Sequence, residues 1–175
     1  LKFINTFMNP GDGVLYPNPG YPIYESQIEY NQGNALPYRY IHSKDGFKID
    51  RDHLEKLIDK KTRILIYNNY QNPIGGESST EEMHWIANIA QKHDLWVLSD
   101  EAYFNIQYSG DPQSIVSIPG MKDRTVILYT FSKTYAMTGW RLGAAIGPEN
   151  VIQIFSKLAT NDESCTNHFI QYGGI

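Results

Sequence analysis

The sequence predicts an α/β fold in which a mostly parallel β-sheet carries helices on both faces. Short apolar, β-branched runs alternate along the chain with amphipathic stretches, which is the pattern of repeated βαβ units. Several of these runs are apolar almost throughout, as strands are when helices cover both sides of a sheet. The 175 residues contain no convincing linker, so we expect a single domain.

The clearest helix of the chain is predicted at residues 80–93. Ser79 or Thr80 can cap its start, and Glu82 lies close enough to complete a capping box. Apolar residues then recur at helical spacing. Two further helices are predicted, at residues 50–58 and at residues 148–158. The strands are predicted at residues 13–16, 35–40, 63–67, 96–99, 125–129 and 142–146.

The composition argues against several classes of protein. A formal net charge of -4 with no long basic run argues against a nucleic-acid partner. A single cysteine, Cys165, allows no internal disulfide and fits a reducing compartment, so we expect a cytoplasmic protein. No apolar stretch reaches the roughly 18 residues that span a membrane. The five histidines show no ligand spacing, so no metal site is predicted.

Four groups of residues whose side chains could bind a ligand or take part in catalysis lie at, or just after, the ends of predicted strands. Ligands of open α/β sheets bind at the carboxyl ends of the strands, so these groups are expected to meet. They are Pro19-Gly20-Tyr21-Pro22, the stretch from Asn68 through Asn72-Pro73-Ile74-Gly75, Ser99-Asp100-Glu101-Ala102-Tyr103, and Thr130-Phe131-Ser132-Lys133 running on to Gly139-Trp140-Arg141-Leu142-Gly143.

The four groups, in this order, resemble the motifs of class I/II pyridoxal-phosphate-dependent aminotransferases, which have the aspartate aminotransferase fold (fold type I). The family motifs read N-P-x-G, S-D-E-x-Y and S-x-S-K, with an arginine eight residues after the lysine. The likeness covers nearly the whole chain. Two positions depart from the pattern, since Ile74 replaces a threonine and Thr130 replaces a serine but keeps its hydroxyl. The resemblance implies the large, cofactor-binding domain of such an enzyme.

The resemblance implies that Lys133 holds pyridoxal 5'-phosphate as a Schiff base and carries a proton during the reaction. On its own, Lys133 would be interpreted as a solvated surface lysine. A lysine attacks an aldehyde only when its amine has lost its proton, which burial or a neighbouring cation favours. Arg141, eight residues further on, is a plausible neighbouring cation. The predicted catalytic residue is therefore Lys133.

Three more residues are implied around the ring of the cofactor. By resemblance, Asp100 keeps the ring nitrogen protonated, which makes the ring an electron sink. Tyr103 and Asn72 are implied to bind its phenolic oxygen. The ordinary alternatives are a helix N-cap for Asp100, a core or rim tyrosine for Tyr103, and a turn residue for Asn72.

The remaining cofactor-binding residues are implied to hold the phosphate and the face of the ring. Arg141 offers a planar fork of donors that suits phosphate, and Thr130 and Ser132 supply hydroxyls. Tyr21 matches the aromatic residue that stacks on the ring. The ordinary alternatives are a surface arginine, strand-end hydroxyls and a tyrosine packed between loop prolines.

The resemblance also implies which part of the whole enzyme this chain represents and which reaction that enzyme catalyses. Residues 1–175 are expected to be part of the large domain, without the N-terminal segment and the C-terminal small domain. The expected reaction moves an amino group between an amino acid and a 2-oxo acid, in a homodimer. A lyase or aminocyclopropane-carboxylate synthase-like enzyme, and the aminotransferase-like domain of a transcription regulator, remain open. The motifs are implied to bind the cofactor, so they do not identify the amino acid that serves as substrate.

Overall fold

A computed structural model describes residues 1–108 and 110–175 as seven strands and seven helices, with two short 3-10 turns. The strands are β1 Gly13–Asn18, β2 Asn34–Ser43, β3 Gly46–Ile49, β4 Thr62–Tyr67, β5 Trp96–Asp100, β6 Thr125–Thr130 and β7 Gly143–Ile146. The helices are α1 Lys2–Phe7, α2 Ile23–Tyr30, α3 Arg51–Leu57, α4 Thr80–Lys92, α5 Phe131–Thr134, α6 Glu149–Asp162 and α7 His168–Tyr172. The 3-10 turns are Ile115–Ser117 and Thr138–Trp140.

All seven strands form one sheet, in the order β3-β2-β1-β4-β5-β6-β7. The five central strands are parallel, while β3 and β7 run antiparallel to their neighbours at the two edges. The predicted α/β class with a mostly parallel sheet is therefore confirmed. Because the central strands are parallel, their carboxyl ends share one edge, and antiparallel β7 begins at that same edge.

Helices cover both faces of the sheet, and each face has its own apolar core. Alternate residues of a strand point to opposite faces, so Val14 and Leu15 of β1 belong to different cores. Leu15 packs in the core that includes α3 and α4, whereas Val14 packs in the core that includes α1, α2 and α6. Both residues are fully buried. This double cover explains why the central strands are apolar almost throughout.

The predicted strands all exist, but one hairpin was missed. Strand β2 runs three residues beyond its predicted end because it pairs with β3 through the register Ser43 with Gly46. Gly46 has a φ of +105°, a conformation that favours glycine, and this permits the tight turn. Every side chain of β7 is exposed, so that edge of the sheet is open in this chain. None of the helices within residues 1–108 and 110–175 is long and apolar enough to cross a membrane.

Helix α4 begins as predicted, although its capping box is only half formed. The Ser79 hydroxyl accepts a hydrogen bond from the Glu82 N–H at 3.2 Å, as an N-cap should. The Glu82 carboxylate does not complete the box. It is buried, and it accepts a hydrogen bond from the Ile49 N–H at 2.8 Å instead. Glu82 thus ties α4 to β3, a partner that a local sequence pattern does not show.

Candidate active site

Asp100 is the last residue of β5, and its side chain is held at both oxygens. Oδ2 accepts a hydrogen bond from the Tyr24 hydroxyl at 2.5 Å, and Oδ1 accepts one from the Ala102 N–H at 3.2 Å. The residue is 8% exposed. Burial raises the pKa of the Asp100 carboxyl, while the hydrogen bonds from Tyr24 and Ala102 act in the opposite direction. A desolvated carboxylate with two fixed donors is well suited to face a positively charged ring nitrogen.

Asn68 connects Asp100 to the loop that carries Asn72. Its side-chain amide donates to the Asp100 backbone oxygen at 2.9 Å, and its Oδ1 accepts from the Asn72 N–H at 3.0 Å. Asn68 itself is buried. Since both bonds come from one side chain at the end of β4, they fix the separation of the two loops. Asn72, whose side chain is half-buried, is thus placed through its backbone N–H.

Lys133 lies in the short helix α5, directly after β6. The Thr130 hydroxyl caps this helix by accepting from the Ser132 N–H at 3.1 Å. Lys133 is exposed, and its Nζ lies 5.6 Å from the centroid of the Tyr103 ring. Such a cation–aromatic contact is worth about 0.5–1 kcal/mol at an exposed site. The structure therefore brings Lys133 and Tyr103 together, but it does not bury the amine within these residues.

Arg141, Thr138 and Ser132 are joined by hydrogen bonds on the other side of α5. Nη1 of Arg141 donates to the Thr138 backbone oxygen at 3.1 Å, and the Thr138 hydroxyl donates to the Ser132 backbone oxygen at 3.2 Å. Arg141 has a left-handed backbone, with a φ of +55°. Antiparallel pairing of Thr130 with Gly143 closes the segment at its base. The three residues predicted to bind phosphate are Thr130, Ser132 and Arg141, and all three therefore lie in this closed segment.

Tyr21 lies at the same edge of the sheet and contacts the site through Tyr24. The two rings meet edge to face, with their centroids 5.9 Å apart. Tyr21 is 44% exposed, so part of its side chain is open to solvent. The buried Gln71 joins this loop to that of Asn72, because its Nε2 donates to the Pro19 oxygen at 2.5 Å and its Oε1 accepts from the Ile74 N–H at 3.1 Å.

The loop before Tyr21 leaves no room for a side chain at Gly20. A Cβ there would lie 2.0 Å from the backbone oxygen of Pro17. We expect Gly20→Ala to lower the free energy of unfolding by about 1–3 kcal/mol, measured by urea denaturation. The control is Gly139→Ala, where a Cβ meets nothing within 4 Å and the change should stay within about 0.5 kcal/mol. Equal effects of the two substitutions would contradict this steric assignment.

The predicted residues border two open clefts. Asn72 and Tyr103 line one of about 440 Å³. Thr130, Ser132 and Arg141 line another of about 860 Å³. Neither lining includes Asp100, Lys133 or Tyr21, which join the site through the contacts described above. Within residues 1–108 and 110–175 we find no group of three side chains able to hold a metal ion.

Sequence reasoning missed four buried polar residues that organise this edge: Tyr24, Asn68, Gln71 and Glu101. Oε1 of Glu101 accepts from the Ser99 hydroxyl at 3.0 Å and from the Ser114 hydroxyl at 2.5 Å. Burial raises the pKa of the Glu101 carboxyl. Asn68, Gln71 and Glu101 lie within the four groups of residues at the strand ends. Tyr24 lay outside them, and its spacing of three residues from Tyr21 in a helical stretch was the available signal.

Comparison with known proteins shows which family the chain belongs to. The family model for aminotransferase class I and II matches residues 2–168. This chain belongs to that family. It is 38% identical over 171 residues to an aspartate aminotransferase of Musicola paradisiaca, covering 97% of the chain and 42% of that protein. It is 37% identical over 173 residues to aromatic-amino-acid aminotransferase 2 of Thermococcus litoralis, covering 98% and 44%.

Solved structures of the family share the fold of the chain. The aromatic aminotransferase from Pyrococcus horikoshii superposes with a TM-score of 0.92 at 34% identity, covering 98% of this chain and 46% of that one. An alanine aminotransferase from Pyrococcus furiosus gives 0.87 at 31% identity, covering 98% and 44%. The resemblance read from the motifs is thereby confirmed. The chain spans less than half the length of these relatives.

The donor set of this edge fits pyridoxal phosphate, the cofactor that class I/II aminotransferases use. A buried carboxylate suits its ring nitrogen, an amide with a phenol suits its phenolic oxygen, and a primary amine suits its aldehyde. Hydroxyls and a guanidinium suit its phosphate. These groups are, in the same order, Asp100, Asn72 with Tyr103, Lys133, and Thr130 and Ser132 with Arg141.

Proposed function

We propose that the protein containing this chain is a pyridoxal-phosphate-dependent aminotransferase that moves an amino group between an amino acid and a 2-oxo acid. One observation carries the assignment: a buried Asp100 carboxylate and an exposed Lys133 lie at the carboxyl ends of neighbouring parallel strands, β5 and β6. Membership of the aminotransferase family supports the same reaction.

Each residue has a defined task in this proposal. The bound cofactor supplies an electron sink for the carbanion formed at the amino acid. Lys133 would anchor the cofactor through its Nζ. Once that amine is free, it would take the proton from the substrate α-carbon and deliver it to the carbon of the cofactor's aldehyde group, C4′. The Asp100 carboxylate holds a proton on the ring nitrogen. The capped start of α5 and the bond from Arg141 to Thr138 orient donors for phosphate.

Further parts of the proposal concern the whole protein. The coverage of its relatives supports placing residues 1–175 inside a large domain, with an N-terminal segment and a small domain elsewhere in the polypeptide. We propose a homodimer with a biosynthetic role in the cytoplasm. Large apolar side chains near the open edge support burial against further structure. They are Trp140, Ile146, Phe169 and Tyr172, each 47–66% exposed.

The names of the relatives favour transamination over the other reactions open to this fold. They include aspartate, aromatic-amino-acid and arginine–pyruvate aminotransferases, and thus differ in the side chain they accept. We therefore propose the reaction type without naming one amino acid.

Borohydride reduction tests the proposed anchor directly. The full-length protein, with this chain alone beside it, is incubated with pyridoxal phosphate, reduced, and mapped by peptide mass spectrometry. We expect one adduct, on Lys133 of the full-length protein. An adduct on a different lysine, or none, would overturn the assignment. Amino-acid and 2-oxo-acid pairs are then screened for transfer, and products of elimination or decarboxylation alone would reject the proposed reaction.

A further inference from the structure

We propose that Tyr24 is a positioning residue for the Asp100 carboxylate, holding it by a hydroxyl bond in the orientation and charge state that the ring nitrogen needs. This inference rests on the proposed function. It concerns a residue that the sequence motifs leave out. Its basis is the 2.5 Å bond between the Tyr24 hydroxyl and Oδ2 of Asp100.

The position of Tyr24 is fixed independently of that bond. Tyr24 is 7% exposed and belongs to the apolar core that contains Val14, Ile28 and Leu98. Its ring also meets Tyr21 edge to face. Because packing holds the ring, the hydroxyl is presented to Asp100 from a defined direction. Tyr24 therefore links the residue expected to stack on the ring with the residue expected to bind its nitrogen.

The bond matters because Asp100 has few other partners. Ala102 supplies the N–H on Oδ1, and Tyr24 supplies the hydroxyl on Oδ2. A hydrogen bond to an ionised acceptor is stronger than a neutral one, and it favours the charged form of a buried carboxyl. Without the Tyr24 hydroxyl, one hydrogen bond fewer offsets the cost of burying the ionised Asp100 carboxylate. The carboxyl would then bind a proton at higher pH, and only the Ala102 N–H would hold its orientation.

Tyr24→Phe is the sharpest variant, since it keeps the ring and removes only the oxygen. Tyr38→Phe is the matched control. Tyr38 is buried like Tyr24, but its hydroxyl donates to the Ile66 backbone oxygen at 3.0 Å, and it packs in the core on the other face. A general cost of losing a buried tyrosine hydroxyl would appear in both variants. An effect on Asp100 would appear only in Tyr24→Phe.

The test uses the full-length protein and two readouts that do not depend on turnover. In cofactor-free protein, the titration of Asp100 is followed by carbon-13 NMR of labelled aspartate, with Asp100→Asn to assign the signal. The dissociation constant for pyridoxal phosphate is measured by absorbance titration from pH 5 to pH 9. For Tyr24→Phe we expect the titration of Asp100 to move upward and cofactor binding to weaken about tenfold near neutral pH.

The outcomes separate this inference from the proposed function. If wild-type protein binds the cofactor at Lys133 while Tyr24→Phe keeps the wild-type titration and binds within about twofold, Tyr24 is not a positioning residue. If wild-type protein binds no cofactor, the proposed function fails, and the Asp100 titration alone decides the role of Tyr24. If Tyr24→Phe does not fold, 3-fluorotyrosine at position 24 replaces it. A stronger donor there should lower the Asp100 titration, and an unchanged titration rejects the inference.

Discussion

Replacing Lys133 with alanine is expected to slow amino transfer by about a thousandfold or more. Proton transfer by a positioned side chain contributes roughly 10²- to 10⁴-fold to an enzymatic rate, and this variant also loses the covalent anchor. Among the lysines of residues 1–108 and 110–175, Lys133 is the one that follows β6 and contacts the Tyr103 ring, so we expect none of the others to take its place. Initial rates with the best substrate pair, together with borohydride trapping, provide the measurement.

Two further variants make the Lys133 result specific. Lys133→Arg keeps a cation near Tyr103 but cannot form the covalent bond, so it should be as inactive as the alanine variant. Lys122→Ala removes an exposed lysine from the turn before β6 and should retain wild-type rates. Substantial activity in Lys133→Arg would show that the positive charge, and not the amine chemistry, is what the enzyme requires.

Asp100→Asn is expected to lower activity while stabilising the cofactor-free protein at neutral pH. Loss of one preorganised electrostatic partner costs about 10²- to 10³-fold in rate. The stability effect follows from the raised pKa of the Asp100 carboxyl. Between the unfolded and folded pKa values the folded state binds more protons, so its stability falls as pH rises through that window. Asparagine carries no charge and avoids this loss.

Thermal unfolding of cofactor-free Asp100→Asn and wild type checks this prediction. We expect the variant to unfold at a higher midpoint temperature than the wild type at pH 7, because a gain in the free energy of unfolding raises that temperature. The difference should be present at pH 7 and shrink towards about pH 4, where the unfolded carboxyl also becomes protonated. A variant that is less stable than wild type by the same amount at both pH values would show that the ionised carboxylate does not destabilise the fold.

Much of the central sheet could be predicted because its strands are short, apolar and separated by turns. The hairpin of β2 and β3 is not predicted by the sequence, since β3 has only four residues and the evidence for it is the pairing itself. Glu82 shows the same limit: its position suggests a local cap, yet its carboxylate bonds the backbone of a different element. Contacts between elements distant in the chain leave little trace in local spacing.

The site was predictable where motifs carry it and unpredictable where packing does. Asp100 and Lys133 stand in recognisable motifs, but the bond from Tyr24 to Asp100 spans 76 positions of the sequence. The same holds for Gln71, which bonds a loop 52 residues earlier. The exposure of Lys133 was not expected from the chemistry of a lysine that must lose its proton.

The candidate site joins two parts of the sheet that differ in local stability. Asp100 ends a strand bonded on both sides and packed between two cores, so we expect the amides of this strand to exchange only when most of the fold opens. Lys133 in α5 and Arg141 after the second 3-10 turn both lie in the segment between β6 and β7, and β7 is a four-residue strand at an open edge. A ligand that contacts both parts would restrict the protein little at Asp100, which is already held, and more at Lys133 and Arg141. The ordering that the ligand brings about would therefore concentrate between β6 and β7.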